Sequence, residues 1–73
     1  MEKLKVSVSS AGVQIVRSRR GLLGLAEICT QLANLPETRE ESRRLGNHYH
    51  YAQHMNNVEP GSTDMEILYD PEL

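Results

Sequence analysis

The first sixteen residues alternate between apolar and polar side chains. Leu4, Val6 and Val8 fall on one face of an extended chain, and lysines and serines fall on the other, which is typical of a half-buried strand. Residues 10–12 then interrupt the pattern with small side chains and a glycine that accepts positive φ. The β-branched run at 13–16 resumes the alternation, so the pattern predicts a hairpin.

From Leu22 onward the apolar period changes from two to that of a helix. Leu22, Leu25, Cys29 and Leu32 recur on one side of a helical projection, with polar residues on the opposite side. Pro36 cannot continue a helix and is expected to end it. The spacing therefore predicts one amphipathic helix with Cys29 on its buried face.

Residues 37–46 contain six charged side chains and one large apolar residue, Leu45. Such a segment cannot hold itself against a core, so we expect an exposed charged loop or a short helical extension.

Alternation returns in two later segments, which predicts a second pair of strands. In the segment 47–54, His48, His50 and Ala52 share one face while Tyr49 and Tyr51 share the other. In the segment 64–69 the alternating apolar residues are Met65, Ile67 and Tyr69.

The order of these elements predicts a single small α+β domain over residues 1–73, with a tail at 71–73. We expect a ββαββ arrangement, in which a four-stranded, largely antiparallel sheet carries one helix packed on one face.

Length and composition limit the classes of protein that the chain can represent. A chain of 73 residues buries only about 60% of its unfolded surface, and its single cysteine excludes an internal disulfide. The longest apolar stretch, 21–35, is too short to cross a bilayer, and Met1–Lys5 lacks the apolar run of a signal peptide. We therefore expect a cytoplasmic protein with no membrane partner.

Charge is distributed unevenly along the chain. Residues 1–36 carry five basic and two acidic side chains, a balance of +3, and residues 37–73 carry three basic and eight acidic ones, a balance of −5. The net charge of −2 disfavours nucleic acid as a partner. The acidic half is compatible with a basic protein partner, for which the candidate contacts are Glu59, Asp64, Glu66 and Asp70.

Three histidines form the only candidate metal site that the spacing reveals. His48 and His50 point the same way from a strand, and His54 follows after the expected turn. A structural zinc site usually needs four ligands, so we expect these rings to pack in the strand without a metal or other cofactor. Excess EDTA should then leave the folded state unchanged.

An enzyme is not indicated by the remaining chemistry. Cys29 on an apolar helix face behaves as a small hydrophobic residue, and no phosphate-binding glycine motif occurs. The acidic side chains are explained by a solvated surface, so we expect a protein without catalytic residues.

Several short strings resemble a family of small bacterial immunity proteins from polymorphic toxin systems. They are GLLGLA at 21–26, NHYHY at 47–51 and PGS at 60–62 followed by MEIL at 65–68. The family pattern has a GLxxLAxxL-like helix, an HxH strand and a GSxELxI-like final strand. The charged segment 37–46 has no counterpart in the pattern, and Met65 stands where the pattern has Glu.

The resemblance implies a protein that binds a cognate toxin, often a nuclease, and blocks its working surface. On this interpretation Tyr49, Tyr51 and Tyr69 supply aromatic anchors on an open sheet face, and the acidic side chains named above surround them. Charge reversal at Glu66 and Asp70 together should then slow association in a salt-dependent way.

The alternative is a structural or regulatory module that forms a homodimer. The edge of strand one or strand four, or the open sheet face, would then join two copies, and the three tyrosines would complete the core or the dimer seam.

Overall fold

The computed structural model describes residues 3–73. Met1 and Glu2, which belong to the amino-terminal segment discussed above, lie outside the described residues. The chain is an α+β protein with strands β1 (Lys5–Ser9), β2 (Gly12–Val16), β3 (His48–Tyr51) and β4 (Met65–Leu68). Its helices are α1 (Arg19–Ala33), α2 (Arg39–Arg44) and a 3-10 turn at Gln53–Met55. The predicted α+β class is confirmed.

The four strands form two separate antiparallel ribbons, so the prediction of one four-stranded sheet is wrong. β1 pairs with β2, and β3 pairs with β4. The two ribbons meet through an isolated parallel bridge between Leu4 and Val58. The outer side of β1 is occupied by the loop 57–63, because Glu59 N–H donates to Leu4 O at 2.7 Å and Thr63 N–H donates to Val6 O at 2.8 Å. A loop, and not a third strand, thus lies along the outer side of β1.

The first hairpin follows the sequence pattern closely. Val6 lies opposite Ile15 and Val8 lies opposite Val13, which places all four side chains on one face. Gly12 has φ +127°, a conformation that side chains other than glycine rarely adopt, directly after the turn. The predicted hairpin and its glycine are both confirmed.

The core is small and lies where β1, β3 and the loop 57–63 meet. Its main cluster of buried apolar residues is Leu4, Val6, Tyr51 and Val58, and four half-buried ones pack against them: Leu25, Tyr49, Met65 and Ile67. From α1, Leu25 packs against this cluster and Leu32 is buried outside it, so the long helix contributes few residues to the core.

Much of α1 is exposed, which corrects the prediction that Cys29 is buried. Gly21 and Leu32 are its buried residues, whereas Cys29 and Leu23 are exposed. The exposed apolar residues of α1 thus lie on a part of the helix that the two ribbons leave uncovered.

The charged segment 37–46 contains α2, so the helical alternative describes it better than the loop. The Thr38 side chain accepts a hydrogen bond from Glu41 N–H and begins the helix, and Ser42 is fully buried beneath it. Arg39 of α2 reaches across to Asp70, so the carboxyl-terminal tail is tied to this helix.

Candidate functional site

Two surfaces of the molecule carry exposed side chains that do not pack in the core. One is the distal part of the first hairpin, and the other is the outward side of the β3–β4 ribbon.

The hairpin face, defined as Val8, Val13 and Ile15, is an exposed apolar surface. It continues the face on which Leu4 and Val6 are buried, but Val8 is 59% exposed, Val13 66% and Ile15 37%. The body of the protein covers only the near end of the hairpin, because the loop 57–63 reaches no further than Val6. Exposed apolar surface of this kind marks interaction sites in proteins.

The free edge of β2 borders the hairpin face. Within residues 3–73, β2 hydrogen-bonds to β1 alone, and its sequence Gly-Val-Gln-Ile-Val has no charged residue and no proline. Charged residues and prolines usually protect sheet edges from pairing. The edge of β2 has neither, so it can accept another strand.

The β3–β4 ribbon turns its tyrosines inward and its histidines outward. Tyr49 and Tyr51 lie opposite Ile67 and Met65, and this face packs against the core. Tyr51 is 3% exposed, and burial raises its pKa above 10.0, with smaller contributions from Tyr49 and Cys29. The expected open face of tyrosines is therefore the inner face, because tyrosine rings bury more apolar area than imidazoles.

Tyr69 also serves the fold. It is half-buried, and its hydroxyl donates to the Pro36 carbonyl at 3.4 Å, which joins the chain after β4 to the residues that follow α1. Tyr51 thus belongs to the core cluster and Tyr49 packs against it, whereas Tyr69 holds two segments together outside that cluster.

The predicted acidic contacts are dispersed, and basic groups of this chain lie beside three of them. Arg17 donates to Glu59 at 2.8 Å, His50 lies 3.3 Å from Glu66, and Asp64 accepts from Gln53 N–H at 3.1 Å. Asp70 accepts from Glu72 N–H and from the Arg39 guanidinium, and these hydrogen bonds lower its pKa below the usual 3.8.

The outward side of the ribbon brings together His48, His50 and Glu66, which we call the His–Glu trio. One ring nitrogen of each histidine and one carboxylate oxygen all lie within 4.8 Å of one another, and all three residues are exposed. His54, the third histidine expected at this site, lies in the 3-10 turn and is not one of the trio. The spacing found two members, but Glu66 required the β3–β4 register, in which it lies opposite His50.

Comparisons of the chain with protein-family models, with curated proteins and with solved structures give no match. The helices within residues 3–73 lack the length and apolar character needed to cross a membrane. The site must therefore be interpreted from its own residues.

Proposed function

We propose that this chain is a non-enzymatic protein-binding module that acts by occupying the working surface of another protein. The observation that carries the proposal is the hairpin face. Two of its side chains, Val8 and Val13, are more than half exposed although they continue the buried face of β1. Leaving such surface in water is unfavourable, and a bound partner removes that cost.

The size of the exposed surface supports the same proposal. The chain exposes 5395 Å². A folded monomer of 8.3 kDa is expected to expose about 4,600 Å². The chain therefore exposes roughly 800 Å² more surface than is expected for its mass, which is the order of area that one partner contributes to an interface of standard size. The radius of gyration, 13.3 Å, also exceeds the value of about 11 Å expected for 73 residues.

The partner that we propose is a cognate bacterial toxin, as the resemblance to immunity proteins implies. The contact residues differ from those expected, because the hairpin face replaces the tyrosines as the apolar centre. The acidic residues remain candidates for steering a basic partner, although the pairing of Glu59 and Asp70 with arginines weakens their field.

The test is a calorimetric titration of this chain with the toxin encoded beside its gene. We expect a 1:1 complex, and Val13→Lys should weaken it at least about tenfold because it puts a charge in the centre of the apolar contact. Gln14→Lys is the matched control, since it adds the same charge to the same strand on the opposite face. Equal affinity of wild type and Val13→Lys, or no toxin gene at this position, would contradict the proposal.

A second candidate function is self-association through β2. The edge of β2 is uncharged, which makes it a better dimer contact than the edge of β4, which carries Glu66. The outer side of β1 is covered by the loop 57–63. A two-fold axis through the middle of β2 would place Gln14 opposite its own copy. Gln14→Lys would then set two lysines against each other and dissociate the dimer.

Sedimentation at micromolar concentration distinguishes the two candidates. A monomer of 8.3 kDa for both wild type and Gln14→Lys agrees with the toxin-binding proposal and excludes self-association at that concentration. A wild-type dimer that Gln14→Lys converts to monomer establishes the second candidate instead.

A further inference from the structure

We propose that the His–Glu trio is a surface site for a divalent transition-metal ion of the zinc type. One ring nitrogen from each of His48 and His50 and one carboxylate oxygen of Glu66 would be the ligands. The site is separate from the hairpin face, so it adds a binding activity that protein recognition does not require.

Strand geometry brings the three ligands together. His48 and His50 are two residues apart on β3 and therefore project from the same side, with ring centroids 5.0 Å apart. Glu66 is the cross-strand partner of His50, and its Oε2 lies 3.3 Å from His50 Nε2. The backbone pairing of two strands thus fixes the positions of all three Cα atoms before any ion binds.

The distances between the donor atoms suit a small ion. Ligands of a tetrahedral zinc at about 2.1 Å lie roughly 3.4 Å from one another. The three donor atoms already lie within 4.8 Å of each other. All three side chains are exposed, so rotation about their side-chain bonds can close the remaining gap without moving the ribbon.

Asn47 prepares His48 as a ligand. The Asn47 amide is oriented because its Nδ2 donates to the Tyr69 carbonyl at 3.3 Å, which leaves Oδ1 facing His48 Nδ1 at 3.2 Å. An amide oxygen only accepts, so this contact favours the tautomer that has its proton on Nδ1 and a lone pair on Nε2. Ligating histidines usually have such a hydrogen bond on their second nitrogen, which fixes the tautomer and the ring orientation.

The donor set selects the class of ion. Two imidazoles and one carboxylate suit zinc and neighbouring transition metals, whereas calcium and magnesium prefer oxygen ligands alone. Three protein ligands leave at least one coordination position for water or for a group from a partner. The site lies on the surface, away from the core, so the fold does not depend on the ion.

The test is a calorimetric titration of the full chain with ZnCl₂. We expect one saturable site per chain, and both His50→Gln and Glu66→Gln should weaken binding at least about tenfold, as the loss of a ligand should cost no less than the loss of a supporting group. His54→Gln is the matched control and should keep the wild-type affinity, because His54 lies outside the trio.

Folding is checked by circular dichroism of each variant, and Glu66→Gln changes an exposed charge without altering shape. The proposal is overturned if zinc shows no saturable binding, if the folded Glu66→Gln variant binds as tightly as wild type, or if His54→Gln weakens binding as much as His50→Gln. Titration with MgCl₂ should give no binding at the same concentrations, and equal binding of magnesium would also overturn the assignment.

Discussion

At the scale of single residues, the buried Asn57 makes hydrogen bonds that a regular sheet would supply in a larger protein. Asn57 is 3% exposed, and its side chain accepts from Ala52 N–H and donates to the His50 carbonyl, each at 2.8 Å. Its backbone carbonyl accepts from Leu4 N–H at 3.0 Å. One residue therefore joins the end of β3 to the start of the first hairpin.

Replacing Asn57 tests this role. Asn57→Ala should lower the free energy of unfolding by about 2–3 kcal/mol, because it removes the partners of the buried Ala52 N–H and of the part-buried His50 carbonyl. Asn56→Gly is the matched control, since Asn56 has φ +56° and is exposed, and it should change stability by no more than about 0.5 kcal/mol. Urea denaturation measures both variants. Equal stability of the two would show that the Asn57 contacts contribute nothing.

Asp70 supplies a pH-dependent contribution whose sign follows from its hydrogen bonds. The Glu72 N–H and the Arg39 guanidinium favour the carboxylate in the folded state, so the pKa of Asp70 is lowered from 3.8. Its contribution to stability is present above the pKa that Asp70 has in the unfolded state. This contribution is lost as the pH falls through the lower pKa of the folded state. NMR titration of wild type should therefore place the Asp70 pKa below 3.8.

Arg39→Gln should raise the pKa of Asp70 toward the usual value without restoring it fully, because the Glu72 N–H remains. Arg44→Gln, a neighbouring change on α2 that does not contact Asp70, should leave the pKa unchanged. A wild-type value at or above 3.8 would be incompatible with the hydrogen bonds described here.

At the scale of elements, two glycines of α1 have opposite roles. Gly21 is buried, and a Cβ added there would lie 2.0 Å from Arg17 Cγ, on the side chain that donates to Glu59. Gly24 has nothing within 4 Å of such a Cβ. The first glycine allows the strand-to-helix junction to pack closely, whereas the second only weakens the helix.

These roles predict opposite effects of the same substitution. Gly24→Ala should raise the free energy of unfolding by about 1 kcal/mol through helix propensity alone. Gly21→Ala should lower it by about 1–3 kcal/mol, because Arg17 must leave Glu59 to make room. Thermal denaturation compares the two variants. A stabilising Gly21→Ala would show that the junction tolerates a methyl group.

Local patterns predicted the elements of this protein better than their assembly. Period-two alternation and a turn glycine are properties of neighbouring residues, so the first hairpin, the strand at 48–51 and the helix could be found from the sequence. The order and number of paired strands depend on contacts between distant segments, such as Leu4 with Val58. A pattern of alternation also does not show which face of a strand points inward. The tyrosines of β3 were therefore expected on the open face, whereas they lie on the inner face.

In the candidate sites too, the sequence shows what depends on neighbouring residues but not what depends on contacts between distant segments. His48 and His50 were found because they are neighbours along one strand, whereas Glu66 joined them only through the register of β3 and β4. The alternation of Leu4, Val6 and Val8 indicates a half-buried strand, but it does not show how far along the hairpin that burial extends. Val8 and Val13 are exposed because the part of the chain that the structure describes covers the hairpin no further than Val6.

At the scale of the whole molecule, the core is small and much apolar surface remains exposed to solvent. Within residues 3–73 only six apolar residues are buried, α1 is largely exposed, and the first hairpin extends beyond the body. A small chain with this much apolar surface gains stability when a partner covers it. The His–Glu trio lies on the other ribbon, so metal binding and partner binding can be measured separately.

We propose that the hairpin face is the part of this protein that a partner covers. Amide hydrogen exchange of the chain, free and bound to the toxin partner proposed above, tests this proposal. We predict that residues 8–16 exchange more slowly in the complex, because their side chains and the free edge of β2 become buried. Unchanged exchange at 8–16, with protection confined to residues elsewhere in the chain, would contradict the claim.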